Sequence, residues 1–417
     1  MKTEVPQRAT TIHEKSSVTI TSPIKVCMHV QKDVRTDFRV MREATALIEA
    51  GFDVSIVDVE AEEMSIEEDI RGVHAKHIIR PGWFIPTRFK PWFLVKAAHM
   101  VLTAAIRLTQ AQADIYHAHD AHALPACYIA ACLRRKPLIF DAHELPLDEP
   151  GITRWQRLHT FAMKVLGAML PRCEGVIATS PPTARAIQDI YRVPQVTLVR
   201  NVPAYREVER TERLRQHLGL DPHVRIALYQ GYLQPDRGLD RLIYAAKYLK
   251  PDTVIVMMGK AVPTTQAHLE ALIAAQGVAD RVKILPPVPY TELLDWTASA
   301  DMGLAVLPLD FSVAVQMMLP NKFFEYLMAG LPVLASPLRA IAEIIDAHDI
   351  GQVLSSLEPK DVAEAINAML VDKDECACMH RNALAVAKQE YHWEKEQEQL
   401  VGLYRSILKL PQKEAAL

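Results

Sequence analysis

Three groups of polar residues stand where apolar runs end, and each carries side chains able to bind an anion, hold a hydroxyl or move a proton. The first is Tyr229-Gln230-Gly231-Tyr232-Leu233-Gln234-Pro235-Asp236-Arg237-Gly238. An apolar strand ends at Gly231, and a helix with Leu239, Leu242, Ile243 and Ala246 on one face opens near Gly238. A helix N-terminus offers unpaired N–H groups and a positive dipole end, which suit a phosphate. Arg237 adds a bidentate charge-assisted contact, and Gly231 lets backbone approach a ligand closely. The same residues also read as a plain strand-to-helix turn with a solvated arginine.

The second group is Leu319-Pro320-Asn321-Lys322-Phe323-Phe324-Glu325-Tyr326-Leu327-Met328-Ala329-Gly330. Pro320 suits a helix start and Gly330 a helix stop. At about 100° per residue, Phe323, Phe324, Leu327 and Met328 share one arc, and Asn321, Lys322 and Glu325 gather on the other. A carboxylate matches two vicinal hydroxyls such as those of a ribose, and Lys322 brings positive charge toward a phosphate. A solvated polar face would look the same. The third group is His117-Ala118-His119-Asp120 followed by Asp141-Ala142-His143-Glu144. Period-2 geometry places His117 and His119 on one side of a strand. Two strands then deliver histidines and acids to one sheet edge, where a histidine can bind a hydroxyl or exchange a proton near neutral pH.

The elements that must position these groups alternate. Residues 24–30, 52–59, 113–119, 137–143 and 175–180 read as buried strands in the first half. Residues 224–231, 252–259, 282–287, 302–308, 332–336 and 351–356 do so in the second. Helical patterns separate them, as in 37–51, where Val40, Met41, Ala44, Leu47 and Ile48 recur at helical spacing before Gly51. Alternation of this kind predicts α/β architecture: two doubly wound Rossmann-like domains facing across a cleft, with ligands beyond the carboxyl ends of the strands. The charged, weakly apolar stretch 202–222 marks the boundary. The divisions expected are a disordered polar lead-in at 1–22, a first domain at 23–203, a second at 204–390, and a closing helix within 391–417.

The chain has 417 residues, with 47 basic against 50 acidic, a balance that gives no reason to expect nucleic acid as a partner. Its six cysteines are few and scattered, which fits a reducing, cytoplasmic setting. Cys376, Cys378 and His380 lack a second ligand pair at zinc-like spacing, so no metal site is expected. No Gly-x-Ser-x-Gly elbow or Walker lysine loop occurs, which argues against hydrolase and kinase chemistry. No apolar run reaches the roughly 20 residues of a membrane span. Residues 80–107 nevertheless interleave Trp83, Phe84, Phe89, Trp92 and Phe93 with Arg80, Arg88, Lys90 and Lys96, uninterrupted by acid. That composition suits a bilayer headgroup region, so peripheral contact with the inner face of a membrane is one expectation. The competing expectation is that 93–106 packs in the domain core.

Taken together, HAHDAHALPA, IFDAHELP, ATSPPTARAI, LVRNVP, YQGYLQPDRGLDRLI and NKFFEYLMAGLPVLAS resemble the retaining glycosyltransferases of family 4, which have the two-domain GT-B fold. The resemblance runs from about Ile24 to about Leu408. It implies transfer of a sugar from a nucleoside diphosphate to a hydroxyl of a glycan, lipid-linked or small-molecule acceptor, without a metal or other cofactor. By this resemblance Glu325 holds the donor ribose, Arg237 and Gly231 the diphosphate, and His119 lies near the reacting sugar. It also implies that the departing phosphate assists the acceptor hydroxyl, and that the closing helix crosses back onto the first domain.

Three departures from the family pattern stand out. The first glutamate of its Glu-x7-Glu motif is replaced by Met317, leaving the donor sugar to Asn321 or backbone N–H groups. The arginine usual after the loop glycine is Tyr232, with Lys322 as the substitute cation. The glycine-rich loop after the first strand is instead Gln31 to Arg39, so Arg35 and Asp37, with His143 and Glu144, are the acceptor-side candidates. The alternatives on this fold are a sugar-nucleotide epimerase or phosphorylase and a catalytically silent relative.

Overall fold

The computed structural model describes residues 22–60, 67–70, 72–79, 90–146, 156–309 and 313–411. The expected lead-in at 1–22 lies almost wholly outside them, as do Arg80, Trp83, Phe84, Arg88 and Phe89.

Two sheets carry the architecture. The first contains β1 (Lys25–His29), β2 (Asp53–Glu60), β3 (Glu67–Ile70), β4 (Val73–Ile79), β5 (Ile115–His119), β6 (Leu138–Ala142), β7 (Gly175–Ala178) and β8 (Thr197–Leu198). Their spatial order is β3-β4-β2-β1-β5-β6-β7-β8, parallel except for β3 at the edge. The second contains β9 (Arg225–Gln230), β10 (Thr253–Met258), β11 (Val282–Leu285), β12 (Met302–Ala305), β13 (Val333–Ala335) and β14 (Gly351–Val353). It is parallel throughout, in the order β11-β10-β9-β12-β13-β14. All eleven strands expected from the sequence are present, ten of them trimmed by a residue or more and β2 shifted by one.

Both sheets reverse direction at one point, between β1 and β5 in the first and between β9 and β12 in the second. Crossovers leave to opposite faces there, and a crevice opens beyond the carboxyl ends. The helices that matter for function are α1 (Phe38–Glu49), α2 (Lys90–Gln110), α3 (Asp120–Arg134), α4 (Gln156–Met169), α5 (Pro181–Tyr191), α6 (Leu239–Ala245), α7 (Tyr290–Thr297), α8 (Asn321–Met328), α9 (Lys373–Gln389) and α10 (Trp393–Ile407). No helix among the described residues is long and apolar enough to cross a membrane.

Local chemistry explains the helix starts. Asp37 accepts from the backbone N–H of Arg39 and Val40 and so caps α1. Ser180 caps α5 in the same way through Thr183 N–H. The closing helix α10 buries Trp393, Leu400 and Tyr404 in the core of the first sheet with Met28, Leu47 and Ile139. Gly175 makes room for it, because a Cβ there would stand 3.0 Å from Ile407 Cδ1. At the joint, Glu396 accepts from both the backbone and the guanidinium of Arg200, each at 2.7 Å.

One expectation fails. The segment 93–106 is not simply a core element. Ala104 and Ala105 are buried, but Leu94, Val95, Leu102 and Ile106 of α2 are about half exposed.

Candidate active site

The two switch points face each other across a cleft of about 710 Å³. One wall comes from the loops after β1 and β6, the other from the loop after β9 and from α8. Phe38 on α1 stacks on Tyr290 at the start of α7, with ring centroids 5.6 Å apart, and this pair bridges the two walls. A second bridge runs from Ser180 Oγ to the carbonyl oxygen of Met317 at 2.6 Å.

On the second-domain wall, β9 ends at Gln230, whose amide is clamped from both sides. Its Nε2 donates to Glu325 Oε2 at 2.5 Å, and its Oε1 accepts from Thr297 Oγ1 at 2.7 Å. Glu325 is therefore held in a fixed rotamer at the cleft, and burial raises its pKa above the ordinary value despite that bond. Beneath it, Tyr326 fixes α8 to the sheet: its hydroxyl donates to Leu228 O and accepts from Gln230 N, each at 3.0 Å. That seat exists because residue 303 is glycine, where a Cβ would come within 2.4 Å of the Tyr326 ring.

Lys322 lies one turn before Glu325's neighbour Tyr326, with Nζ 3.5 Å from the centroid of the Tyr229 ring. Burial, with the nearby Arg237 guanidinium, brings its ammonium down to about 7. Gly231 passes beside it at φ +123°, a conformation that favours glycine. A Cβ on Gly259 would lie 1.7 Å from the Gly231 carbonyl oxygen, so the loops after β9 and β10 touch backbone to backbone. Gly231, Arg237, Asn321, Lys322 and Glu325 all line the cleft. The helix that follows Arg237 is only seven residues long, so the cations and loop N–H groups carry more of any anion binding than its dipole.

The first-domain wall is backed by a buried ionic network. Arg39, on the inner side of α1, makes a bidentate pair with Asp141 at 2.8 and 2.9 Å and donates to Val199 O. It also meets Glu43 Oε1 at 3.0 Å, an ion-pair distance without hydrogen-bond alignment. Asp141 in turn faces His119 Nδ1 at 3.3 Å and His143 Nε2 at 3.2 Å. Asp120, held at φ +65°, turns its carboxylate to the backbone N–H and the ring Nδ1 of His143. A non-glycine residue in that region stores strain of the kind found at functional sites.

The charges sort accordingly. Burial opposes ionisation of Asp141, but Arg39 and then His143 outweigh it and hold the carboxyl well below its usual range. Burial would also lower His143, yet Asp120 and Asp141 raise it to about 9. His119 is lowered by burial, and Glu43 is pushed up by burial to about 8. The result is a cationic His143 at the cleft with a neutral His119 behind it.

The placement of the acceptor-side candidates is uneven. Asp37, His143 and Glu144 line the cleft. Arg35 does not: its guanidinium is engaged by Glu68 of β3, at 2.6 Å, and by Asp33. His119 is 1% exposed and stacked on His117, with ring centroids 4.2 Å apart, so His143 rather than His119 presents the imidazole to the cleft. Met317 does not line the cleft, where its neighbours Met318 and Leu319 form an apolar patch. Lys32, Arg39, Thr297 and Tyr290 were not singled out from the sequence, and Asp120 and Gln230 stood within the quoted groups without a role of their own. For Arg39 the available signal was Glu43 four residues on, an ion pair along a helix face otherwise apolar.

Glu43, His117, His119 and Asp141 bring potential metal-ligand atoms within 4.8 Å of one another. The Arg39 guanidinium already sits on both carboxylates, supplying the positive charge a metal would bring, so we assign the group an electrostatic role. Cys376 Sγ and His380 Nδ1 each point to a different backbone carbonyl, of Met369 and Gly330. A second cavity, of about 570 Å³, lies under Ala300 and Pro332 at the opposite edge of the second sheet, floored by the Arg215–Asp301 ion pair.

The chain matches known families in both halves. Residues 38–203 match the model for Glycosyltransferase Family 4, and residues 210–386 match that for Glycosyl transferases group 1. The chain is a family 4 glycosyltransferase. The solved structure of Anabaena Alr3699/HepE in complex with UDP-glucose has the same fold, with a TM-score of 0.69, 19% identity, and 92% of this chain and 100% of that one covered. The architecture is therefore GT-B. Among relatives, a D-inositol 3-phosphate glycosyltransferase of Xylanimonas cellulosilytica is 29% identical over 203 residues. That match covers 47% of this chain, and the chain spans about half of that relative, 46%. The lipopolysaccharide core biosynthesis mannosyltransferase LpsB of Rhizobium meliloti is 23% identical over 71% of this chain and 80% of its own.

Proposed function

We propose that this glycosyltransferase takes its sugar from a nucleoside diphosphate sugar and transfers it with retention to a hydroxyl acceptor in the cytoplasm, where the acceptor is a glycan or a lipid-linked molecule presented at the inner face of a membrane. The observation that carries the reading is the clamped Glu325 beside Lys322, Arg237 and Gly231 at the second sheet's switch point. A fixed carboxylate next to two cations matches a ribose diol joined to a diphosphate. Asn321, at the start of α8 in the same cleft wall, is assigned to the donor sugar.

The chemistry follows from the charges. The bond from the anomeric carbon to the diphosphate oxygen breaks, and Lys322 and Arg237 offset the charge that builds on that oxygen. The acceptor hydroxyl bonds to the same face of the anomeric carbon, and its proton passes to the departing phosphate oxygen. His143, kept cationic by Asp120 and Asp141, which face its two ring nitrogens, lends positive charge to this side of the cleft and does not compete as a base. No metal is assigned a part, because side-chain cations meet the diphosphate.

A thermal-shift panel of nucleoside diphosphate sugars tests the donor class. The matching donor at 100 times its dissociation constant adds about 2.7 kcal/mol of stability. Glu325→Ala should erase that shift. A shift from no member of the panel, or one unchanged in Glu325→Ala, would refute the reading.

A further inference from the structure

We propose that the outer face of α2, α3 and α4 is the surface by which the first domain docks on an anionic lipid bilayer. The inference rests on the membrane-presented acceptor of the preceding reading only for its purpose; its physical case is separate.

Helix α2 is apolar on two sides. Ala104, Ala105 and Leu108 are buried against α3 residues such as Ala126 and Ala130. Val95, Leu102 and Ile106 recur at i, i+7 and i+11, a single stripe on the opposite side, and are 51%, 59% and 50% exposed. Leu94 flanks the stripe at 49%. Leu133 of α3, which packs on α2, and Phe161 of α4, which packs on α3, are both more than 60% exposed. Scattered exposed leucines are ordinary, but an apolar stripe along one helix with large exposed apolar residues on the two helices beside it is not.

Charge decides what covers it. Lys96 and Arg107 on α2, Arg134 and the adjoining Arg135 on α3, and Arg157 and Lys164 on α4 carry six positive charges on these helices. The only carboxylate on the three helices is Asp120, at the first position of α3 and turned toward His143. The whole chain has a net charge of −3, so this face is positive against a slightly acidic molecule. A second copy of the chain would set the same six cations against their equals in a two-fold interface, which repels. An anionic bilayer accepts both properties: the cations meet headgroups and the stripe enters the headgroup–acyl boundary.

The fold places this face usefully. Helix α3 starts immediately after β5 ends at His119, and α2 and α4 each precede a parallel strand. All three helices therefore begin at the carboxyl-end side of the sheet, where the cleft opens. Leu94, Val95 and Phe161 lie in the first half of their helices, nearest that rim, so a lipid-linked acceptor held in the bilayer would meet the cleft from the Asp37 and His143 side.

The test is co-sedimentation of the full chain with vesicles of phosphatidylcholine alone or mixed with phosphatidylglycerol. Binding is expected only to the mixed vesicles and should weaken as salt rises. The surface variant Val95→Ser/Leu102→Ser/Ile106→Ser should lose about tenfold or more in vesicle affinity, while nucleotide-sugar binding measured by calorimetry stays unchanged. Wild-type protein left in the supernatant at low salt, equal sedimentation of the triple variant, or self-association that the variant abolishes would each overturn the proposal. Intact donor binding in those cases would leave the transferase reading standing, and absent donor binding with intact vesicle binding would refute only that reading.

Discussion

Lys322 makes the donor site sensitive to protons in a way that can be measured. Its ammonium titrates at about 7 in the free protein, because the site is partly dry and shares space with Arg237. A bound diphosphate brings two or more negative charges to the same spot and returns the lysine toward its ordinary value of about 10.4. At pH 8 the free lysine is then about one-tenth protonated and the bound one almost fully, so binding takes up about 0.9 proton. At pH 6 the uptake falls to about 0.1. Between pH 7 and pH 9 the same linkage weakens donor binding by up to about fifty-fold, a ceiling because water in the cleft screens part of the interaction. Calorimetric titration with UDP or another nucleoside diphosphate in two buffers of different ionisation enthalpy reads the uptake directly. Lys322→Met should abolish the buffer dependence. Equal heats in both buffers at pH 8, or the same uptake in Lys322→Met, would refute this account of the site.

Three further outcomes are expected. Gln230→Ala frees the Glu325 carboxylate and should cost about 1–3 kcal/mol of nucleotide affinity, read by calorimetry on the folded variant. Asp141→Asn breaks the bidentate pair of the buried Arg39, leaving it only Glu43, and should cost about 3–5 kcal/mol of stability by denaturant titration; because His143 is raised to about 9 when folded, its stabilising share is complete below about pH 6.5 and lost as pH rises through 9, and the variant, in which Asp120 alone still faces His143, should show a smaller loss. His143→Ala should lower turnover far more than His119→Ala, and both enzymes, like the wild type, should keep their activity in a chelator; a chelator-sensitive activity restored by manganese would contradict the donor site described.

The switch-point architecture was legible because buried parallel strands write themselves as short apolar runs. The strands β3 and β4 were not, since Glu67–Ile70 is an exposed, acidic edge and Val73–Ile79 carries three polar residues. Missing β3 had a direct consequence: Arg35 looked available for an acceptor when Glu68 already holds it. On the donor side, Glu325, Lys322 and Asn321 were readable because one helix carries all three at fixed angles. Gln230 was overlooked because its meaning depends on Thr297 and Glu325, brought together only by tertiary packing. His119 and His143 could not be ranked from their own strands. Which one faces the cleft is decided by Asp120, whose carboxylate accepts from the backbone N–H of His143 and so holds the loop after β6 against His119.

The chain's last helix has a consequence for how the molecule is made. Tyr404 hydroxyl lies 2.8 Å from His117 Nδ1, directly behind the imidazoles of the cleft, and Trp393 and Leu400 fill the same core as β1 and α1. The first domain therefore lacks part of its interior until residues 393–407 have been synthesised, whereas the second, closed by α9, has all its strands before them. Order of completion runs opposite to order of sequence: the second half has its parts first, and the first half waits for α10 to seal the floor beneath its histidines.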